Sequence, residues 1–147
     1  MADKVSQDVR SAMMSAVKGR NTSPERLVRS RVFAKGFRYR IHNKNMPGSP
    51  DLSFPRYRVA VFVHGCFWHG HDCPRGRKPQ SNVEFWTRKL EGNVARDKKV
   101  MAALQEQGWT VVVIWTCEIE KGVRALLNRL QQRRARYYRR ELAKYRA

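Results

Sequence analysis

Arg58-Val59-Ala60-Val61-Phe62-Val63-His64-Gly65-Cys66 is the stretch that decides the fold. Val59 to Val63 is apolar without a break, as expected for a strand buried on both faces rather than one that alternates toward water. Working outward, Trp109 to Trp115 reads as another buried strand. Between the two, Trp86, Leu90, Val94, Asp97, Met101 and Leu104 recur at three- and four-residue steps, which predicts a long helix over roughly Asn82 to Gln107, ended by Gly108. Upstream, Phe37 to Ile41 and Asp51 to Phe54 read as short strands, the second after the turn Met46-Pro47-Gly48-Ser49-Pro50. Before them, Thr22-Ser23-Pro24-Glu25 carries a capping-box pattern with proline in the first turn, and a helix follows through Leu27, Val28, Val32 and Phe33 to Gly36. A last helix is expected from about Glu118 to Gln132. Helix, three strands, helix, strand, helix predicts a single α/β domain around a small mixed β-sheet flanked by helices.

The 147 residues suit one domain. Thirty-one Lys and Arg against 12 Asp and Glu leave a net charge of +19, an imbalance that repels itself and points to a polyanionic partner. Nucleic acid fits this better than lipid. No apolar run approaches 18 residues, and residues 1–20 lack the apolar core of a signal peptide, so no membrane association and a reducing cytoplasm are expected. Residues 1–21 read as a polar arm with a short helix around Met13, Met14 and Val17. Residues 22–132 form the folded domain. Residues 133–147, with seven basic residues and one acid, read as a basic C-terminal tail or solvated helix.

All three cysteines belong to one candidate set of four ligands: Cys66, His71 and Cys73 in the loop after the buried strand, and Cys117 at the end of the last strand. Four nitrogen and sulfur donors match a closed structural Zn²⁺ site, and disulfides are disfavoured in a reducing compartment. The other reading leaves Cys117 in the core and the rest as loop thiols. A filled zinc site activates no water, so any chemistry must come from elsewhere.

His64 ends the buried strand, His69 lies between zinc ligands, and Asp51 opens a neighbouring strand. A carboxylate there can hold Mg²⁺ and a neutral imidazole can take a proton from water, which together support phosphodiester hydrolysis. Asp51 also fits a turn residue, Glu25 a helix cap, and Asp97 a buried salt-bridge partner. Phe67-Trp68, with Trp86, either covers the sheet end or inserts between base steps of DNA.

Arg10-Ser11 with Met14, Pro47-Gly48-x-Pro50-Asp51, His64-Gly65-Cys66-Phe67-Trp68-His69, His71-x-Cys73, Glu84-Phe85-Trp86, Lys89, Asn93-Val94, Arg96-Asp97 and Trp115-x-Cys117 together resemble the very short patch repair (Vsr) endonucleases, over roughly residues 8–120. The resemblance implies the restriction-endonuclease-like fold. It also implies a monomeric bacterial enzyme, on the nucleoid, that nicks one strand of double-stranded DNA 5′ of the thymine in a T:G mismatch left by deaminated 5-methylcytosine. Other repair proteins are possible partners. By the same resemblance, Asp51 binds catalytic Mg²⁺ with the backbone carbonyl of Val63. His69, with Glu25 nearby, serves the attacking water, and His64 assists at the phosphate. Cys66, His71, Cys73 and Cys117 hold structural Zn²⁺. Phe67, Trp68 and Trp86 form a major-groove wedge, Met14 enters the minor groove, and Lys89 and Asn93 read the mismatch. Two features depart from the family: Val63 replaces an expected hydroxyl residue, and the basic tail is additional. Compared with the wider fold, Phe62-Val63-His64 stands where acid-x-Lys usually follows Pro-Asp, so the second metal carboxylate is missing. The rival readings are a non-catalytic zinc module that binds distorted duplex and a junction or general nuclease on the same fold.

Overall fold

The computed structural model describes residues 20–146; Met14 and nearly all of the expected arm lie outside them. Helix α1 spans Ser23–Ala34, and the sheet strands are β1 (Arg40–Ile41), β2 (Leu52–Phe54), β3 (Val59–His64) and β4 (Thr110–Trp115). Helices α2 (Val83–Glu106) and α3 (Ile119–Ala143) precede and follow β4. The strands lie in the order β1-β2-β3-β4, antiparallel as far as β3 and parallel between β3 and β4. A parallel pair needs a crossover, and α2 supplies it.

The unbroken apolar run of β3 is explained by two cores. Val59 and Val61 pack with Val28 and Val32 of α1 and Leu126 and Leu130 of α3, whereas Ala60 and Phe62 pack with Leu104 of α2 and Met46. Successive side chains point to opposite faces, so a strand covered by helices on both sides has no polar position to offer. Among the described residues, no helix is long and apolar enough to cross a membrane.

Two elements differ from the expectation. The strand predicted over Phe37 to Ile41 shrinks to Arg40–Ile41. Gly36, at φ 86°, ends α1 with its amide on Phe33 and the next amide, that of Phe37, on Val32. The Phe37 amide is therefore used to cap the helix and is lost to the sheet. At the other end, α3 does not stop at Gln132 but runs 25 residues to Ala143. Strong helix formers favour the extension, and side chains beyond Gln132 find partners on β4 and on the segments flanking the strands. The Arg133 guanidinium donates to Thr110 Oγ1 at 2.6 Å, the Arg134 guanidinium lies 4.4 Å from the Phe37 ring centroid, and Tyr137 meets Tyr57 edge-on.

Helix α3 approaches β4 closely at Gly122, where an added Cβ would lie 2.6 Å from Ile114 Cγ2. Ile114 is fully buried, so it has little room to yield. Gly122→Val should destabilise the fold by about 1–3 kcal/mol through overpacking. Thermal or urea unfolding checks this, and an unchanged midpoint would mean that α3 shifts freely on the sheet.

Candidate functional site

The carboxyl end of β3 opens onto a cavity of about 420 Å³, lined in part by Glu25, His42, Asp51, His64, His69 and Asp97. Asp51 directly precedes β2 and is locked to the neighbouring strand, because its Oδ2 accepts the Val63 amide at 2.7 Å. Burial and the adjacent Glu25 carboxylate push the Asp51 carboxyl up, the Val63 amide, His42 and Arg29 pull it down, and the net result is about 6. Glu25 serves as both cap and cavity residue. Its amide bonds Thr22 Oγ1 at 3.4 Å in the expected cap, while its Oε2 takes the Asn21 amide at 2.9 Å and Arg29 at 3.1 Å.

His42 joins these two acids, a placement that reading the sequence missed. Its Nε2 lies 3.1 Å from Glu25 Oε2 and 3.7 Å from Asp51 Oδ1. The signal was faint, a lone histidine in a polar loop, and what brings it inward is a left-handed backbone at φ 44° together with its amide bond to the Asp51 carbonyl. Donor atoms of Glu25, His42 and Asp51 all lie within 4.8 Å of one another. Two carboxylates crowded with an imidazole in a partly buried pocket suit a divalent cation, whose charge would relieve their mutual repulsion.

A second cluster forms the other wall. His69 Nδ1 and Asp97 Oδ2 are 2.6 Å apart, and the His69 and His64 rings stack at 3.7 Å with an interplanar angle of 2°. Asp97 is the salt-bridge partner anticipated from its place on the α2 stripe, and its partner is His69. Glu25 is bonded instead within the Asp51 cluster. Burial and the neighbouring His69 hold the His64 imidazole down at about 4, so it is neutral near pH 7.

Cys66, His71, Cys73 and Cys117 come together beyond the cavity, all four donor atoms within 4.8 Å of one another. A tetrahedral ion with metal–sulfur bonds of ~2.3 Å separates its ligands by roughly 3.8 Å, and Cys117 Sγ already lies 3.4 Å from His71 Nδ1. The thiols themselves call for such an ion. Burial raises Cys66, but hydrogen bonds from Thr116, Cys117 and His71 outweigh it and bring the thiol to about 6. Burial and the crowding by Cys66 and Cys73 push Cys117 up to about 11. One thiolate opposes the next, and a central dication removes the conflict. His71 is further held by stacking on Trp115, with centroids 4.1 Å apart.

The loop between the cysteines carries Phe67 and Trp68, which meet Trp86 of α2 edge-on at 5.3 and 6.0 Å. All three are half-buried, so they form one aromatic ridge beside the cavity. Asn93 Nδ2 donates to the Trp68 carbonyl at 3.0 Å and ties the loop to α2, while Lys89 is exposed one turn away. Arg96, quoted from the sequence beside Asp97, and Arg20, not singled out there, also line the cavity and add positive charge.

A four-stranded mixed sheet between helices, with Asp51 at the end of one central strand, defines a nuclease of the restriction-endonuclease-like fold. The family model described as DNA mismatch endonuclease Vsr matches residues 2–75. The chain is 47% identical over 119 residues to the type II nicking enzyme V.XorIIP of Xanthomonas oryzae pv. oryzae, covering 81% of this chain and 88% of that protein. It is 42% identical over 132 residues to the type II nicking enzyme V.NmeAIP of Neisseria meningitidis, covering 88% and 94%. With DNA mismatch endonuclease Vsr of Escherichia coli it shares 38% identity over 119 residues, 81% of this chain and 76% of that one. The chain belongs to the Vsr family of DNA mismatch endonucleases.

If the thiol cluster holds a metal, the loop depends on it. Cys117→Ala should lose one equivalent of bound metal per chain and expose residues 66–76 to proteolysis. Metal analysis with limited digestion checks both, and a variant that digests like the parent would reduce the cluster to packing.

Proposed function

We propose that the protein nicks one strand of duplex DNA 5′ of the thymine in a T:G mismatch, with catalytic Mg²⁺ at Asp51 and structural Zn²⁺ at Cys66, His71, Cys73 and Cys117. The observation that carries this reading is one cavity holding a buried carboxylate cluster on one wall and an Asp–His pair on the other. Binding alone requires neither. The donor chemistry divides as the two metals would: oxygen-rich around Asp51, thiolate-rich around Cys117.

Asp51 and the carbonyl of Val63, the residue whose amide already binds Asp51, would hold Mg²⁺, which would supply positive charge to stabilise the scissile phosphate. The protein's own groups do the rest. Asp97 accepts the Nδ1 proton of His69, which leaves the His69 Nε2 lone pair as the proton acceptor for the attacking water. The water oxygen bonds to phosphorus while the bond to the departing deoxyribose oxygen breaks. His64, stacked on His69 and neutral, keeps that ring parallel and assists at the phosphate. Glu25 and His42 brace Asp51 and carry further order to the water. Loss of the family's hydroxyl at Val63 leaves the carbonyl in place.

Selectivity comes from deformation. A mismatched step costs less to unstack than a paired one, so a wedge of Phe67, Trp68 and Trp86 in the major groove converts deformability into preference. Lys89 and Asn93 read the bases beside it, Met14 enters from the minor groove, and Arg20 and Arg96 neutralise phosphates. The enzyme works as a monomer on bacterial DNA, in the cytoplasm and on the nucleoid, where it hands its nick to other repair proteins.

Labelled duplexes carrying T:G or T:A, assayed with and without Mg²⁺, test this directly: nicking should require both the mismatch and the ion. Asp51→Ala should abolish nicking and preserve mismatch binding, and His69→Ala should slow single-turnover nicking by about 10²–10⁴-fold. Normal cleavage by Asp51→Ala would move the reaction elsewhere. Trp68→Ala should weaken binding to T:G duplex more than to paired duplex; equal losses would leave the aromatic ridge as packing alone.

A further inference from the structure

The far half of α3, expected as a basic tail or solvated helix, builds a site. Beyond Arg133 the helix carries Arg136, Tyr137, Arg140 and Lys144 at three- and four-residue intervals, which places them in one stripe. That stripe and the β2–β3 turn enclose a cleft of about 340 Å³, to which the turn contributes Arg56, Tyr57 and Arg58. Tyr57 and Tyr137 meet edge-on at 6.2 Å as its floor, and the Arg56 guanidinium lies 5.3 Å from the Tyr137 centroid. Arg136, Arg140 and Lys144 are exposed. The cleft has one acid, Glu141, and Lys144 Nζ bonds it at 2.7 Å. Six cations thus line a groove with one carboxylate.

The position is as informative as the charge. Strands β3 and β4 are parallel, and the nuclease cavity lies at their carboxyl ends, by His64 and Trp115. Arg133 is bonded to Thr110, at the opposite end of β4, about 17 Å away for five strand steps. From there α3 continues away from the cavity, and Arg133 to Lys144 covers roughly 16 Å more. A duplex seated at the cavity leaves this end of the molecule free.

We infer that this arginine–tyrosine cleft is a second DNA-binding site, at the end of the sheet opposite the nuclease cavity, that holds the phosphate backbone of a separate duplex segment. Guanidinium forks match phosphate oxygens in pairs, and cations repeated along a straight helix match a repeating row of phosphates. An acidic protein partner would call for an apolar centre ringed by charge; here the floor is two tyrosines already packed on each other. The consequence is an enzyme able to hold one segment while sampling another, a route between sites that needs no full release. The inference goes beyond the nicking reaction, and binding at this cleft is measurable whether or not that reading of the cavity holds.

The test fills the cavity first. Protein saturated with a short unlabelled T:G duplex receives a longer, fully paired, labelled duplex, and the complex with two duplexes is measured by sedimentation. The wild type should form it. Arg136→Ala/Arg140→Ala/Lys144→Ala should bind the second duplex at least about tenfold more weakly, and its log-affinity-against-log-salt slope should fall by about 2.7 for three lost phosphate contacts. Single-turnover nicking of the short duplex should be unchanged. Lys121→Ala/Arg124→Ala/Arg129→Ala, which removes the same charge from the other half of α3, should still capture the second duplex. Equal losses in both triple variants would overturn the site as mere net charge, and an unchanged slope in the first would overturn it outright. Displacement of the labelled duplex by poly-glutamate, at charge concentrations where unlabelled duplex fails to compete, would overturn DNA as the occupant.

Discussion

The parallel pairing of Val59–His64 with Thr110–Trp115 is the constraint on which the rest of the molecule depends. Two adjacent parallel strands bring their carboxyl ends out on the same side, so His64 and Trp115 emerge as neighbours. The loop after His64 and the turn after Trp115 must then meet, and that meeting brings Cys117 to Cys66, His71 and Cys73. The crossover demanded by parallel strands has a second effect. It carries α2 back along the sheet, with Trp86 beside the loop aromatics and Asp97 against His69. A different register of these two strands would scatter every one of these contacts.

On that scaffold, three groups of ionisable side chains sit where water cannot fully solvate them. Each manages its charge differently. Asp97 and His69 satisfy each other. Glu25 and Asp51 crowd each other, are only partly relieved by Arg29, His42 and the Val63 amide, and leave Asp51 with a carboxyl that resists ionising. Among the thiols, Cys66 is drawn down while Cys117 is pushed up, a conflict that a central cation would relieve. The two clusters in unresolved repulsion are those whose donors suit a metal, and the pair already hydrogen-bonded is the one suited to moving a proton.

The basic charge follows a related logic at larger scale. Part of it lies at two ends of the protein, with Arg20 and Arg96 at the cavity and Arg133, Arg136 and Arg140 of α3 at the other pole. Dividing the charge lowers self-repulsion within either patch and gives each end its own hold on a polyanion.

Much of this was legible from residue order. The unbroken Val59–Val63 run requires cover on both faces, the α2 stripe has helical spacing, and three cysteines with one histidine in a soft-metal pattern are hard to explain otherwise. Glu25, Asp51, His64 and His69 could be named as candidates because each residue type carries its chemistry in its side chain. What stayed hidden depended on distance and local competition for hydrogen bonds. Phe37 looks like a strand residue until its amide is seen capping α1. His42 looks like a loop residue until a left-handed turn aims it at two carboxylates. Arg133 to Lys144 looks like a solvated tail, because nothing nearby in sequence announces that Thr110, Phe37 and Tyr57 wait to receive it. The sequence by itself determined which chemical groups the protein has and which segments must be buried, since both follow from side-chain type and short-range period. Only the tertiary structure decided which of those groups share a cavity and which charge lies at which end, because those relations join residues tens of positions apart through the pairing of two strands.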